Sequence, residues 1–181
     1  MYKNLLSWLT VLVLFPSCSK TPPNISVVCE ENNVGNCIIK WETAPLIHGK
    51  VKVYASANPE LIPETMPIAA APISEGKMVI VTDDPSRRYY YTMVFNNKYR
   101  VKVATRNINI PGIQNFRDLG GYRSSTTGKN VRWGMLYRSA QIDSLGCAAR
   151  RELRNMGIRT IIDLRAPEEL NNYPQIQKGF N

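Results

Sequence analysis

Lys50-Val51-Lys52-Val53-Tyr54 alternates strictly between charged and large apolar side chains. Successive side chains of a β-strand point to opposite faces, so this pattern demands a half-buried strand. Comparable short runs surround it. Ile25–Cys29, Cys37–Trp41, Met78–Thr82, Tyr89–Phe95 and Tyr99–Ala104 are rich in β-branched and aromatic residues. Turn-forming stretches separate them, among them Glu31-Asn32-Asn33-Val34-Gly35-Asn36. Nothing between residues 25 and 105 shows helical apolar spacing. About seven short strands with regular turns predict an all-β sandwich over residues 25–105. Of all residues, 44% are hydrophobic and 20% charged, the balance of a globular rather than a disordered chain.

Within this region, Trp41 on the second strand and the Tyr-rich late strands resemble fibronectin type III domains. Tyr89, Tyr90, Tyr91 and Tyr99 are expected to pack the core; the alternative is an exposed platform for protein or glycan. His48, the only histidine, falls in a turn without ligand partners. Its solitude excludes any Ser-His-Asp or Cys-His arrangement in the second half. Cys29 and Cys37 flank a turn, and a hairpin centred on Asn33 would set them opposite one another. After export they would meet an oxidising environment. A disulfide and a pair of unpaired buried thiols both remain open.

The N-terminus predicts export. Lys3 gives a positive start, Leu5–Phe15 is apolar except for Ser7 and Thr10, and Ser17-Cys18 follows. A run of about eleven residues is too short to span a bilayer and fits a signal peptide. The Ser17-Cys18 junction resembles a bacterial lipobox, which implies cleavage before Cys18, a signal peptide over residues 1–17 and lipidation of Cys18. Several acyl chains, at about 0.8 kcal/mol per buried methylene, anchor a protein stably. Residues 18–24 read as a tether. The expected location is the cell envelope: a membrane lipoprotein, in the outer membrane, facing the periplasm or the surface.

A different pattern begins near residue 106. Asn115-Phe116-Arg117-Asp118-Leu119-Gly120-Gly121-Tyr122 is followed by Val131-Arg132-Trp133-Gly134, Leu136-Tyr137-Arg138-Ser139 and Gly157-Ile158-Arg159-Thr160-Ile161-Ile162-Asp163-Leu164-Arg165. Val131–Trp133 and Leu136–Arg138 read as short strands. Leu145, Ala148, Ala149, Leu153 and Met156 recur near helical spacing, opposite Arg150, Arg151 and Arg154. Ser144 would cap this helix, Gly157 would end it, and Cys147 would be a small core residue. Ile158–Leu164 then reads as a continuous apolar strand buried on both faces of a parallel sheet. Pro167-Glu168-Glu169 starts another helix. Helix, glycine and buried strand predict α/β architecture, hence α+β for the whole chain.

This ordered series resembles the opening half of the bacterial tyrosine-phosphatase-like family. These are cysteine-based enzymes acting on phosphotyrosine and sometimes on phosphoinositides. The resemblance implies the first half of an α/β cysteine-phosphatase domain over residues 106–181. It also implies metal-free, cofactor-free transfer through a cysteinyl phosphate, using a Cys-x5-Arg loop. Here the residues six after Cys18, Cys29, Cys37 and Cys147 are Asn24, Gly35, Thr43 and Leu153. The expectation is therefore a domain incomplete before its catalytic loop, without a catalytic residue in this chain. The supporting candidates for a phosphate pocket are Arg117, Asp118, Arg138, Ser139, Asp163 and Arg165. Arg138 and Arg165 would lend positive field, and Asp118 and Asp163 would hold neighbouring arginines and loop amides. In intact relatives the partner would be a phosphoprotein or phosphoinositide. The net charge is +9, and nine of the eleven cations after residue 106 are Arg, a donor fork suited to phosphate. No nucleic-acid motif accompanies them. The rival reading is a non-enzymatic envelope lipoprotein that binds protein or glycan through its sandwich.

Overall fold

The computed structural model of the chain describes residues 21–32, 36–82, 87–142 and 145–170. The expected signal segment, Cys18 and the predicted helix cap Ser144 lie outside the described residues. The protein is mostly β, with few helices.

Seven strands form two antiparallel sheets. In chain order they are β1 (Asn24–Glu31), β2 (Cys37–Ala44), β3 (Lys50–Ser56), β4 (Ala69–Pro72), β5 (Lys77–Ile80), β6 (Tyr90–Phe95) and β7 (Tyr99–Ala104). One sheet has the order β1-β2-β5, the other β4-β3-β6-β7. The short β4 has no counterpart in the sequence reading. Its Ala-Ala-Ala-Pro carries no alternation, and its pairing with β3 supplies the order instead. The inward side chains of both sheets share one core around Ile39, Trp41, Val51, Val53, Met93 and Phe95. Trp41 meets Phe95 edge-on, 6.4 Å between centroids, and its indole N–H donates to the Ile73 carbonyl at 2.7 Å. That bond satisfies the one polar atom of an otherwise apolar anchor. Cys29 and Cys37 are joined by a disulfide across the β1–β2 hairpin.

β6 departs from a plain sandwich strand. Every residue from Tyr90 to Phe95 is buried, so both of its faces are covered. Tyr91, Met93 and Phe95 face the shared core. On the other face Tyr90 packs with Ala104, Ile62 and Trp133, and Trp133 belongs to the second segment. The uncharged run Tyr-Tyr-Thr-Met-Val-Phe is the sequence counterpart of a strand covered on two sides.

The second segment contributes a two-stranded ladder and two helices. β8 (Arg117–Asp118) pairs with β9 (Tyr137–Arg138), α1 spans Cys147–Asn155 and α2 spans Pro167–Leu170. Leu145, Ala149 and Leu153 of the α1 region bury against Ile110, Ile113 and Phe116. Gly157, with φ 74°, follows α1 in the left-handed conformation that ends helices.

Three expectations are corrected. Val131–Trp133 is no strand, because its residues turn to seat Trp133 on the sandwich. Cys147 is exposed rather than core, since it begins α1 on the side away from Leu153 and Ala149. Ile158–Leu164 has no ladder partner among the described residues and is not a buried strand. Ile162 is 74% and Leu164 92% exposed, because no neighbouring strand supplies hydrogen bonds or cover.

Candidate functional site

Asp118 organises the second segment. It sits on β8 with 0% exposure, and a buried carboxylate must be paired and hydrogen-bonded to persist. Oδ1 accepts the Gly120 amide at 2.7 Å. Oδ2 accepts the Gly134 amide at 2.9 Å and the Arg88 guanidinium at 2.8 Å. Arg88 stands just before β6, also donates to the Thr105 carbonyl at 3.0 Å, and lies 4.7 Å from the centre of the Tyr90 ring. One carboxylate thus ties two loops of the second segment to the sandwich.

Arg106 completes the joint from the other side. Its guanidinium donates to the Gly120 carbonyl at 2.8 Å and the Asp118 carbonyl at 3.3 Å. It lies over the rings of Tyr122 at 4.0 Å and Trp133 at 5.1 Å. A planar, weakly hydrated cation can stack and donate at once, which lysine cannot. The glycine pair allows this layering. A Cβ on Gly120 would fall 2.5 Å from the Trp133 ring and 2.6 Å from its Cα. Gly121 turns the chain with φ 76°.

The Tyr137 ring stacks on Phe116 at 5.2 Å, and its hydroxyl meets that of Tyr90. Burial pushes both phenols above their ordinary range, Tyr137 further than Tyr90. For Tyr90 the adjacent Arg88 opposes that rise.

The sequence-predicted residues fall into two groups. Arg117, Asp118, Arg138 and Ser139 lie on and beside the β8–β9 ladder, with Arg117 directly opposite Arg138. Both arginines are exposed. Like charges facing one another on a ladder oppose pairing, so two guanidiniums here form a cationic spot. Ser139 is exposed, and its hydroxyl donates to the Ala140 carbonyl at 2.8 Å. Asp163 and Arg165 form the other group, a local fork with Nη2–Oδ2 at 2.6 Å and Nε to both oxygens at 3.0 Å. The Arg165 hydrogen bonds hold the Asp163 carboxyl below its ordinary range.

Arg88 and Arg106 were absent from the sequence reading, and Tyr90 entered it only as a residue of the sandwich core. The two arginines lie outside the motifs that carried it. Only the fold brings Arg88 within reach of Asp118, thirty positions along the chain. The uncharged β6 run was the available signal that a second layer covers this face.

Among the described residues no group of His, Cys, Asp or Glu is arranged to hold a metal ion, and no helix is long and apolar enough to cross a membrane. No curated protein matches the chain. Two solved structures of the pectate lyase Pel3 from Pectobacterium carotovorum show a likeness at 17% and 16% identity, with TM-scores of 0.36 and 0.37. They cover 49% and 56% of this chain, which spans 28% and 31% of theirs. The segment built around Asp118 matches a family model: residues 108–180 fit that of the tyrosine phosphatase family.

Proposed function

We propose that residues 106–181 are the opening half of an α/β cysteine-phosphatase domain. It is carried by a cell-envelope lipoprotein anchored through Cys18, behind a fibronectin-type-III-like sandwich. The family match over residues 108–180 is the observation that carries this reading. The sheet orders β1-β2-β5 and β4-β3-β6-β7 support the sandwich assignment. The reading assigns Ile161, Ile162 and Leu164 to a strand that a neighbouring strand of a complete domain would cover.

Within that domain Arg117, Arg138 and Arg165 would supply positive field for the phosphate of a phosphotyrosine or phosphoinositide, with Ser139 as a hydroxyl donor. Asp118 and Asp163 would act as positioning residues, the first through loop amides and Arg88, the second through Arg165. Phosphoryl transfer by this family needs a thiolate held above a loop of backbone amides with an Arg six positions on. These 181 residues contain no Cys-x5-Arg. The 181-residue chain is therefore proposed to be inactive by itself. Purified chain should release phenol from a phenyl phosphate ester no faster than buffer. Turnover that disappears in Cys147→Ser would overturn this.

A platform of exposed tyrosines for protein or glycan is not supported. Tyr54, Tyr90, Tyr91 and Trp41 are buried, and Tyr89 and Tyr99 are half-buried.

A further inference from the structure

β1 and β7 end their respective sheets on the same side of the sandwich and run close to one another. Neither has a second ladder partner among the described residues. A groove of about 1550 Å³ lies along them. One wall is β1 for its whole length, with Asn32 just beyond it; another is β7 from Arg100 and its continuation to Asn109. Arg117, Arg123 and Trp133 of the second segment close the third side. The free edge of a strand presents a row of unused amide and carbonyl groups, a template for another extended backbone.

The charge of the groove is one-sided. Arg100 is held by Glu64 and Arg132 by Glu60, so those cations are already paired. Lys102, Arg106, Arg117 and Arg123 have no carboxylate partner among the described residues. Lys102 and Arg106 donate only to neutral carbonyls, at 3.1 Å to Pro59 and 2.8 Å to Gly120. Of the groove's acidic residues, Glu30 is paired with Lys40, which leaves Glu31. Among the described residues, four cations without a carboxylate partner therefore line the groove against one carboxylate without a cation.

The geometry points to a binding groove for an extended acidic peptide of another protein, added as a strand along the free edge of β1. Backbone pairing along β1 would supply affinity that does not depend on sequence, and the cations of the opposite walls would select carboxylates at alternate positions. This surface involves both the sandwich and the second segment, so it exists only while the two are docked. It stands whether or not the chain takes part in phosphoryl transfer.

The test uses the purified chain and a fluorescein-labelled peptide of alternating threonine and glutamate, eight residues long like β1. Fluorescence anisotropy should show saturable binding that weakens as salt rises. The same-length threonine–lysine peptide should not bind. A threonine–glutamate peptide N-methylated at alternate residues keeps its charge but cannot pair, and should also fail. Hydrogen exchange should slow across residues 24–31 when the first peptide is bound. Arg117→Glu with Arg123→Glu, both exposed positions, should weaken binding by roughly tenfold or more while leaving the thermal melt unchanged. Equal binding of the lysine or N-methylated peptide overturns the inference. So does a lack of binding by the first peptide, or protection of residues 24–31 already complete in the free protein.

Discussion

The Asp118 carboxylate is fully buried yet carries three donors, one of them the partly buried Arg88 guanidinium. A pair of this kind adds little net stability over an apolar substitute, but losing one partner strands the other. Arg88 already has Nε and Nη1 without hydrogen-bond partners among the described residues, so it tolerates no further loss. Asp118→Ala should destabilise the protein by about 3–5 kcal/mol in urea unfolding. Asp118→Asn keeps one acceptor oxygen and should cost about 2 kcal/mol. Gly120→Ala tests the layering against Trp133. Its Cβ meets ring and backbone rather than a flexible side-chain end, so a loss of about 1–3 kcal/mol is expected in the same measurement.

At the scale of elements, the β1–β2 hairpin and the stretch after α1 are opposites. The hairpin is aligned over eight residue pairs and closed by Cys29–Cys37. Cys29→Ser with Cys37→Ser should lower stability by about 2–3 kcal/mol, read as a drop in Tm that reductant reproduces in the parent chain. Residues 158–164 are held by no ladder among the described residues; Ile158 leans on the second core, but Ile161, Ile162 and Leu164 stand in solvent. The local Asp163–Arg165 fork orders one turn and covers most of the Arg165 side chain, but it buries none of Ile161, Ile162 and Leu164. Trypsin should therefore cut first at Arg159, which is exposed within this stretch.

For the whole molecule, the joint between the two segments governs behaviour. Trp133 packs on Tyr90 and Ala104 and donates to the Lys102 carbonyl at 3.3 Å, and Asp118 holds Arg88. The core of Ile110, Ile113, Phe116 and α1 continues from that joint. Limited trypsin digestion should leave a resistant piece ending near residue 159. A piece ending at Arg106 would show that the joint does not persist in solution. Alkaline titration reads the same packing. Burial raises the phenols of Tyr90 and Tyr137, and pushes Tyr91 to about 12. A raised pKa means that the folded state keeps its protons longer. Stability is intact below pH about 10, the ordinary tyrosine value, and falls as pH rises towards the folded values. Tyr91→Phe should remove part of that loss, roughly 1–2 kcal/mol at high pH, while leaving stability at neutral pH little changed.

Six strands of the sandwich and the helix with its terminal glycine were readable from local patterns. Alternation in Lys50–Tyr54 and the spacing of Leu145, Ala149 and Leu153 report burial on one face directly. The Arg-Asp-Leu-Gly-Gly and Tyr-Arg-Ser motifs marked the second segment for the same reason: short motifs encode local turns. Three features were decided only in three dimensions. β4 is a strand because β3 offers it an edge, although Ala-Ala-Ala-Pro has no pattern of its own. Ile158–Leu164 is apolar enough for a buried strand, but a strand exists only where another supplies its hydrogen bonds, and none does here among the described residues. The joint of Arg88, Asp118, Arg106 and Trp133 unites residues from distant stretches of sequence. Arg88 and Arg106 look ordinary in sequence, because the cost of an unpaired buried charge arises only once the chain has folded around it.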